Sequence, residues 1–580
     1  MEMKHRIALA MALSILILFG YTYLVPSPEP TDDALAEQEG GSETGGETGD
    51  ETGGSDDGAG APEAGEPAQP GQPVEASPAV PDTQIEKSEH RIANELLAVT
   101  VDSEPGGLIN HIELLDDQFR NRETNEGEDF LLFDEAAGSD KTLEFGFLAD
   151  ETDFGWGRGA RAQLVEAGDD RVRYVRRKGD VEVVETLTLL DGYEAKYEVL
   201  VRNFGKESVA HRVELTTRMG LGSSSSRYDV HRALCRATDS LEEFTFDDVE
   251  DEEDVEKVKG GLHWFGVDSK YFLQAVIPSE TFSGCVVDSD GAGSGMVNTA
   301  IGRQITLEPG QQKSYEFGLY LGAKIDSMLG AFPESEGLEA AEGIALTDAI
   351  DWGWFGALSE YLGGMMLALL RYFYGLTGVW GVAIIMLTVV IKLTLLPLTI
   401  KQYRSMRKMK EINPEMQALR EKYKDDQVKM NQEMQALFSR HGTSPLSGCT
   451  PMLLQFPIWI ALYAMLGAVV DLYHESFLWL PDLTQPDPYY ILPIGMGALM
   501  FLQTSMNPNP GGDEMQAKMM KWMMPGVFVV MMLFLPSGLG VYIFANITLS
   551  LIQSFIQLKI PSKDKDGDGE SGDKPAGATA

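Results

Sequence analysis

The chain has 580 residues, with 46 Lys and Arg against 89 Asp and Glu, a formal charge of −43, and 43% hydrophobic residues. Residues 27–90 carry −16 and residues 91–350 carry −27, whereas 400–447 carry +4 between strongly apolar neighbours. That distribution excludes a uniformly acidic soluble protein, and it argues against nucleic acid as a direct partner, because phosphate binding needs a basic face.

The first apolar run, 7–25, follows Lys4, His5 and Arg6 and closes on Tyr21, Thr22 and Tyr23. Aromatic residues suit the membrane interface, and no small-residue cleavage pattern follows. Residues 1–26 therefore read as a retained N-terminal transmembrane anchor with its start in the cytoplasm. Residues 27–90 hold seventeen acidic residues and one Lys among Gly, Thr and Pro, and read as a disordered acidic linker. Over 91–350 short apolar-polar alternations predict strands, most clearly 181–190 and 197–201 on either side of Asp191-Gly192. So many strands predict one large β-sandwich or barrel. The run 246–256, eight of eleven residues acidic, reads as a loop interrupting it. Three cysteines make neither a disulfide scaffold nor a metal cage. Cys235 and Cys285 are expected as free thiols, a bridge being the alternative in an oxidising compartment.

Within 351–378, the apolar stretch 354–376 is interrupted by Glu360 and Arg371, which predicts an amphipathic helix along the membrane surface. Five candidate spans follow, at 379–400, 451–470, 489–506, 518–535 and 539–558, since a hydrocarbon core of about 30 Å takes roughly 20 helical residues. Pro536-Ser537-Gly538 leaves room only for a tight hairpin between the last two. With the anchor, six spans put the ten Lys and Arg of 400–447 in the cytoplasm and the acidic domain outside, as the excess of basic residues on cytoplasmic loops requires. The tail, 561–580, reads as disordered and cytoplasmic.

Phosphate-loop, zinc-protease and nucleophile-elbow motifs are absent from the sequence, and the eight histidines are scattered. No enzyme, metal or cofactor is expected. Lys392 is the most informative residue. It lies nine residues before Lys401, hence about 13 Å deep at 1.5 Å per residue, where a cation costs about 2.5–3.5 kcal/mol. No Asp or Glu lies inside the later spans to pair with it, so a hydrated cavity is the expected setting. Thr388 on the same helical face, Gln455 in the next span, and Tyr542 and Asn546 in the last are candidates to line it, although such side chains equally serve as packing between membrane helices.

The segment 401–447 predicts a cytoplasmic helical hairpin. Its first arm starts at Asn413-Pro414 and is striped by Ile412, Met416, Leu419 and Tyr423. Its second is capped by Asp425 or Asp426 and striped by Met430, Met434 and Leu437. Packing of one stripe on the other is the simpler reading. Twenty of the 26 Met fall between Met365 and Met532, and flexible thioethers suit varied apolar partners, which makes Met416, Met430 and Met434 candidate substrate contacts.

Pro397-Leu398-Thr399, Gly448-Cys449 with Pro451, Leu453-Leu454-Gln455 and Pro457, the run from Asp487-Pro488-Tyr489-Tyr490 to Pro493, and Pro536-Ser537-Gly538-Leu539 with Tyr542 resemble the YidC/Oxa family of membrane protein insertases, in the form with a large periplasmic domain. The resemblance is continuous over about 355–560 and one of layout before that. It implies a polytopic α-helical membrane protein with a five-helix insertase core (span two at 379–400, spans three to six within 448–560) and a periplasmic all-β super-sandwich over 91–350. It also implies an inner-membrane location, nascent membrane proteins as substrates, and the Sec translocon, the lipid bilayer and the ribosome as partners. The family's groove opens to cytoplasm and lipid and carries an arginine where this chain has Lys392, which keeps the charge and loses the guanidinium fork. The acidic tail argues against ribosome docking through it. The rival readings are an ion or solute transporter with Lys392 in its pathway, and a membrane-anchored carbohydrate-active enzyme.

Overall fold

The computed structural model describes residues 88–559 apart from 104–106, 120–127, 130–141, 155–161, 221–230, 238–239, 250–255, 290–294, 333–343, 354–355, 425, 442–449 and 507–513. The expected anchor, the linker up to residue 87, the tail, Gly448, Cys449 and most of the acidic run lie outside the described residues. The part of that run that is described forms a 3-10 turn, Phe246–Asp248.

Period-two patterning builds the N-terminal half. In Glu194–Asn203 the side chains of Ala195, Tyr197, Val199 and Val201 are buried and the alternate ones face outward, where the Lys196 ammonium lies 3.2 Å from both Glu198 and Glu316. This strand pairs antiparallel with Val181–Leu189 on one side and Gln312–Ala323 on the other. The turn into it places Gly192 at φ 69°, a conformation that favours glycine. Such pairings run through a 14-stranded sheet, beside a four-stranded one. Ile92, Val99 and Ile112 of the small sheet share one apolar core with Val183, Tyr197 and Phe317 of the large one. The first strand, Glu89–Ala93, begins two residues before the expected boundary.

Two features of the β-domain stand apart from the expectations. Cys235 and Cys285 form a disulfide, the alternative to the free thiols that were expected. Their fifty-residue separation hides their proximity in sequence. The strands Arg232–Ala237 and Phe282–Ser289 both pair with Glu256–Asp268, bringing the two Cα atoms to 6.5 Å, within bridging reach. Nearby, the fully buried Asp268 accepts hydrogen bonds from Arg232 Nε at 3.1 Å and Nη2 at 2.5 Å, and from Lys324 Nζ. Arg232 and Lys324 both also donate to the Ala349 carbonyl, at 3.0 and 3.1 Å, which fastens the end of the β-domain to the segment leading into the helices. Burial pushes the Lys324 ammonium down to about 8, although Asp268 pulls the other way.

The C-terminal half is helical: α1 (Asp326–Ala331), α2 (Ala357–Thr377), α3 (Trp380–Lys422), α4 (Gln427–Arg440), α5 (Thr450–Ala468), α6 (Ile491–Met506), α7 (Glu514–Met532) and α8 (Ser537–Lys559). Among the described residues, Trp380–Ile400 and Ser537–Gln557 are long and apolar enough to cross a membrane, and three shorter apolar helices accompany them, Gln455–Ala468, Ile491–Met506 and Lys521–Met532. The helix expected to start at Pro414 is instead the continuation of α3, which runs on through Pro397 and Pro414. A proline removes one N–H and bends a helix, but the flanking Lys, Met, Glu and Gln are strong helix formers that carry it past the defect.

One end of the helical bundle is stitched together by the conspicuous short motifs. Asp487 accepts from the backbone N–H of Tyr489 at 3.0 Å and of Leu492 at 2.7 Å, capping the start of α6. Ser537 and Gly538 donate their N–H groups to Gln485 and Leu483, both at 2.8 Å, which fixes the α7–α8 hairpin to the same loop. Gly381 leaves room for no side chain where the Phe477 ring packs on α3. Arg371 of α2 is not simply a polar interruption of an interfacial helix. Its guanidinium grips Asp471 with two bonds of 2.9 Å and reaches Asp326 of α1 at 2.8 Å. Beside it, Gln118 donates to the carbonyls of Val470 at 2.9 Å and Tyr473 at 3.3 Å, and the Tyr473 ring packs among Phe119, Tyr271 and Phe272 of the β-domain.

Candidate functional site

Helices α3 and α8 lie side by side and run in the same direction: Ile384 adjoins Gly538 near their N-terminal ends, Lys392 meets Ser550 further along, and Thr399 meets Gln553 beyond it. The seam is apolar at its N-terminal end, where Ile384, Leu387, Leu539 and Ile543 are buried together. It becomes polar further along, at Lys392, Ser550, Thr399 and Gln553.

Lys392 is half-buried there, and its Nζ donates to Ser550 Oγ at 2.8 Å. The Ser550 hydroxyl in turn donates to the Asn546 carbonyl at 2.7 Å. Among the described residues no carboxylate pairs with this ammonium. Lower on the seam, Gln553 Nε2 donates to Thr399 Oγ1 at 2.8 Å. Gln455 on α5 donates to the buried Tyr542 hydroxyl at 3.2 Å, joining α5 to α8.

The sequence candidates are thus divided. Lys392 meets Ser550, whose hydroxyl touches Asn546 only at its backbone carbonyl. Gln455 and Tyr542 form a separate pair. Thr388 is fully buried and donates to the Ile384 carbonyl of its own helix at 2.7 Å, so in this arrangement it serves packing rather than a polar surface. Ser550 and Gln553 went unrecognised, although Asn546, Ser550, Gln553 and Gln557 recur at spacings of four, three and four, a polar stripe along one face of α8.

In the hairpin formed by the inner part of α3 and α4, Ile412, Met416 and Leu437 are buried together, with Leu419, Met434 and Phe438 packed against them. Met416 is therefore enclosed between the arms, while Met430 and Met434 are half-buried on α4. Asp426 caps α4, accepting from the Lys429 N–H at 3.0 Å. Large apolar side chains stand exposed along α6, α7 and α8, among them Ile494, Trp522, Val530 and Phe555, an outer surface suited to hydrocarbon rather than water.

Residues 372–564 match the family described as 60Kd inner membrane protein, and residues 89–364 match the YidC periplasmic domain. The membrane protein insertase YidC of Anaeromyxobacter dehalogenans strain 2CP-C is 36% identical over 470 residues, covering 78% of this chain and 82% of that one. Its counterpart in Geobacter metallireducens is 32% identical over 578 residues, covering 97% and 100%. Among solved structures, a YidC insertase crystal structure with its first transmembrane domain resolved covers 82% of this chain and 93% of its own at 18% identity and TM-score 0.35. A galactose mutarotase-related enzyme of Lactobacillus acidophilus covers 40% of this chain and 97% of its own at 12% identity and TM-score 0.32.

Proposed function

This chain belongs to the YidC family of membrane protein insertases, inner-membrane proteins with a periplasmic domain, and on that premise we propose that the polar seam of α3 and α8, with the adjoining face of α5, is the groove that receives the hydrophilic segment of an incoming membrane protein. The observation that carries this is Lys392, a cation at mid-span depth whose partner among the described residues is a neutral hydroxyl. Such a group attracts water and acidic side chains, and so lowers the cost of moving a short polar tail through the bilayer interior. The substrate's apolar segment leaves sideways along the exposed apolar faces into lipid. Six spans, counting the N-terminal anchor, place both termini and the α3–α4 hairpin in the cytoplasm. The hairpin meets the incoming chain through Met430 and Met434, and through Met416 once its arms part. The Sec translocon and the ribosome are partners in this reading, the ribosome through surfaces other than the acidic tail. The reaction uses binding energy, and no hydrolysis or cofactor enters.

Photo-crosslinkers at positions 388, 392 and 455 test the groove against a stalled nascent single-span protein. Crosslinks at 392 and 455 are expected, and their absence with normal insertion would remove the seam from the pathway. Position 388, enclosed by packing, is expected to label weakest. Replacing Lys392 by Ala or Glu is expected to impair insertion more than replacing it by Arg. Solute flux in liposomes holding this chain alone would favour a transporter instead.

A further inference from the structure

Ser550 occupies an unusual position for a membrane serine. A serine in a helix commonly turns its hydroxyl back onto the carbonyl four residues earlier and does nothing else. Here that bond is made, to Asn546 at 2.7 Å, and it fixes the hydroxyl proton. The lone pairs of Oγ are thereby turned outward, and one of them receives the Lys392 ammonium at 2.8 Å. A hydroxyl whose proton is already committed is a directed acceptor. The lysine it holds has three donors and four rotatable bonds. Left alone, such a chain would spread its charge over many positions, including the route toward the cytoplasmic interface.

We propose that Ser550 is a positioning residue that holds the Lys392 ammonium at one height on the α8 side of the seam and thereby sets the preference for acidic substrate segments. The inference rests on the groove reading above. A neutral hydroxyl is a weaker partner for a cation than a carboxylate is. Ser550 therefore keeps the ammonium in place while the groove is empty and yields it when an aspartate or glutamate of the substrate arrives. A carboxylate at position 550 would have held the lysine permanently, and an alanine would leave it without a fixed place. Serine satisfies both requirements, and the Asn546 carbonyl supplies the orientation.

Proteoliposomes containing the full chain provide the test. The substrate is a single-span protein made in two versions, one with three Asp and one with three Asn in its translocated tail, and insertion is read as protease protection of that tail. Ser550→Ala is expected to lower insertion of the acidic version roughly three- to tenfold with little change for the neutral one, and Ser550→Thr, which keeps the hydroxyl, to restore it. In a Lys392→Met background, Ser550→Ala is expected to add nothing. If Lys392→Met abolishes the acidic preference but Ser550→Ala leaves it intact, or if Ser550→Ala impairs both substrates equally with or without the lysine, Ser550 is ordinary packing and the proposal falls. If Lys392→Met itself leaves the preference unchanged, the groove reading fails and this one with it.

Discussion

Two lysines of this chain are withdrawn from bulk water and are treated in opposite ways. Lys324, in the β-domain, is held by the carboxylate of Asp268 and the carbonyl of Ala349, with Arg232 bound to the same two groups. Lys392, in the helical core, is held by one serine hydroxyl. The first arrangement completes a structure, because every charge is answered within the protein and the cluster fastens the β-domain to its exit segment. The second leaves a charge to be answered by something else. In the reading proposed above, the paired cation serves architecture and the unpaired one serves the groove.

The comparison is broken most directly at Asp268. Asp268→Asn leaves Arg232 and Lys324 buried without a counter-charge, and it is expected to cost about 3–5 kcal/mol. The measurement is the thermal transition of the β-sheet signal by circular dichroism on the full chain in detergent. A loss below about 1 kcal/mol would show that the cluster is not structural. His211 sharpens the same contrast, since it is buried in the β-domain as a neutral ring. Its Nε2 lies 2.8 Å from the Tyr315 hydroxyl, and burial, followed by the nearby charge of Lys313, lowers its pKa to about 4. The unfolded chain takes up that proton near pH 6.5, so the stability linked to His211 is complete above pH 6.5 and is lost as the pH falls toward 4. The loss is about 3 kcal/mol. His211→Gln is expected to flatten this part of the pH profile, and an unchanged slope would contradict it. The smallest effect on folding is expected at Lys392. Lys392→Met removes a charge that costs energy where it sits, so the midpoint should hold or rise while insertion of acidic-tailed substrates drops. A midpoint loss as large as that of Asp268→Asn would erase the distinction between the two lysines.

These differences were unevenly legible in the sequence. The strands around Asp191-Gly192 could be read because alternation is local and one face is buried. Lys392 stood out because its depth in an apolar run strains the snorkelling of a lysine chain and the later spans hold no carboxylate to pair with it. Ser550 did not, because serine is common in membrane helices and its meaning depends on a lysine 158 residues away. The Cys235–Cys285 bridge and the Arg232–Asp268–Lys324 cluster were hidden for the same reason, as strand order brings their members together and spacing does not record it. Pro414 misled in the opposite sense: a strong local signal for a helix start was overridden by helix formers on both sides. Arg371 gave a true signal of polarity, but its carboxylate partners, in α1 and in the loop after α5, could not be read from spacing.

That loop has a mechanical consequence. Tyr473 packs against the apolar core of the β-strands, while the residues on either side of it connect α5 to α6. With Arg371 clasping Asp326 and Asp471 beside it, a rotation of the β-domain relative to the helices would have to part an aromatic ring from that core and break these ion pairs, or tilt α5 and α6 with it.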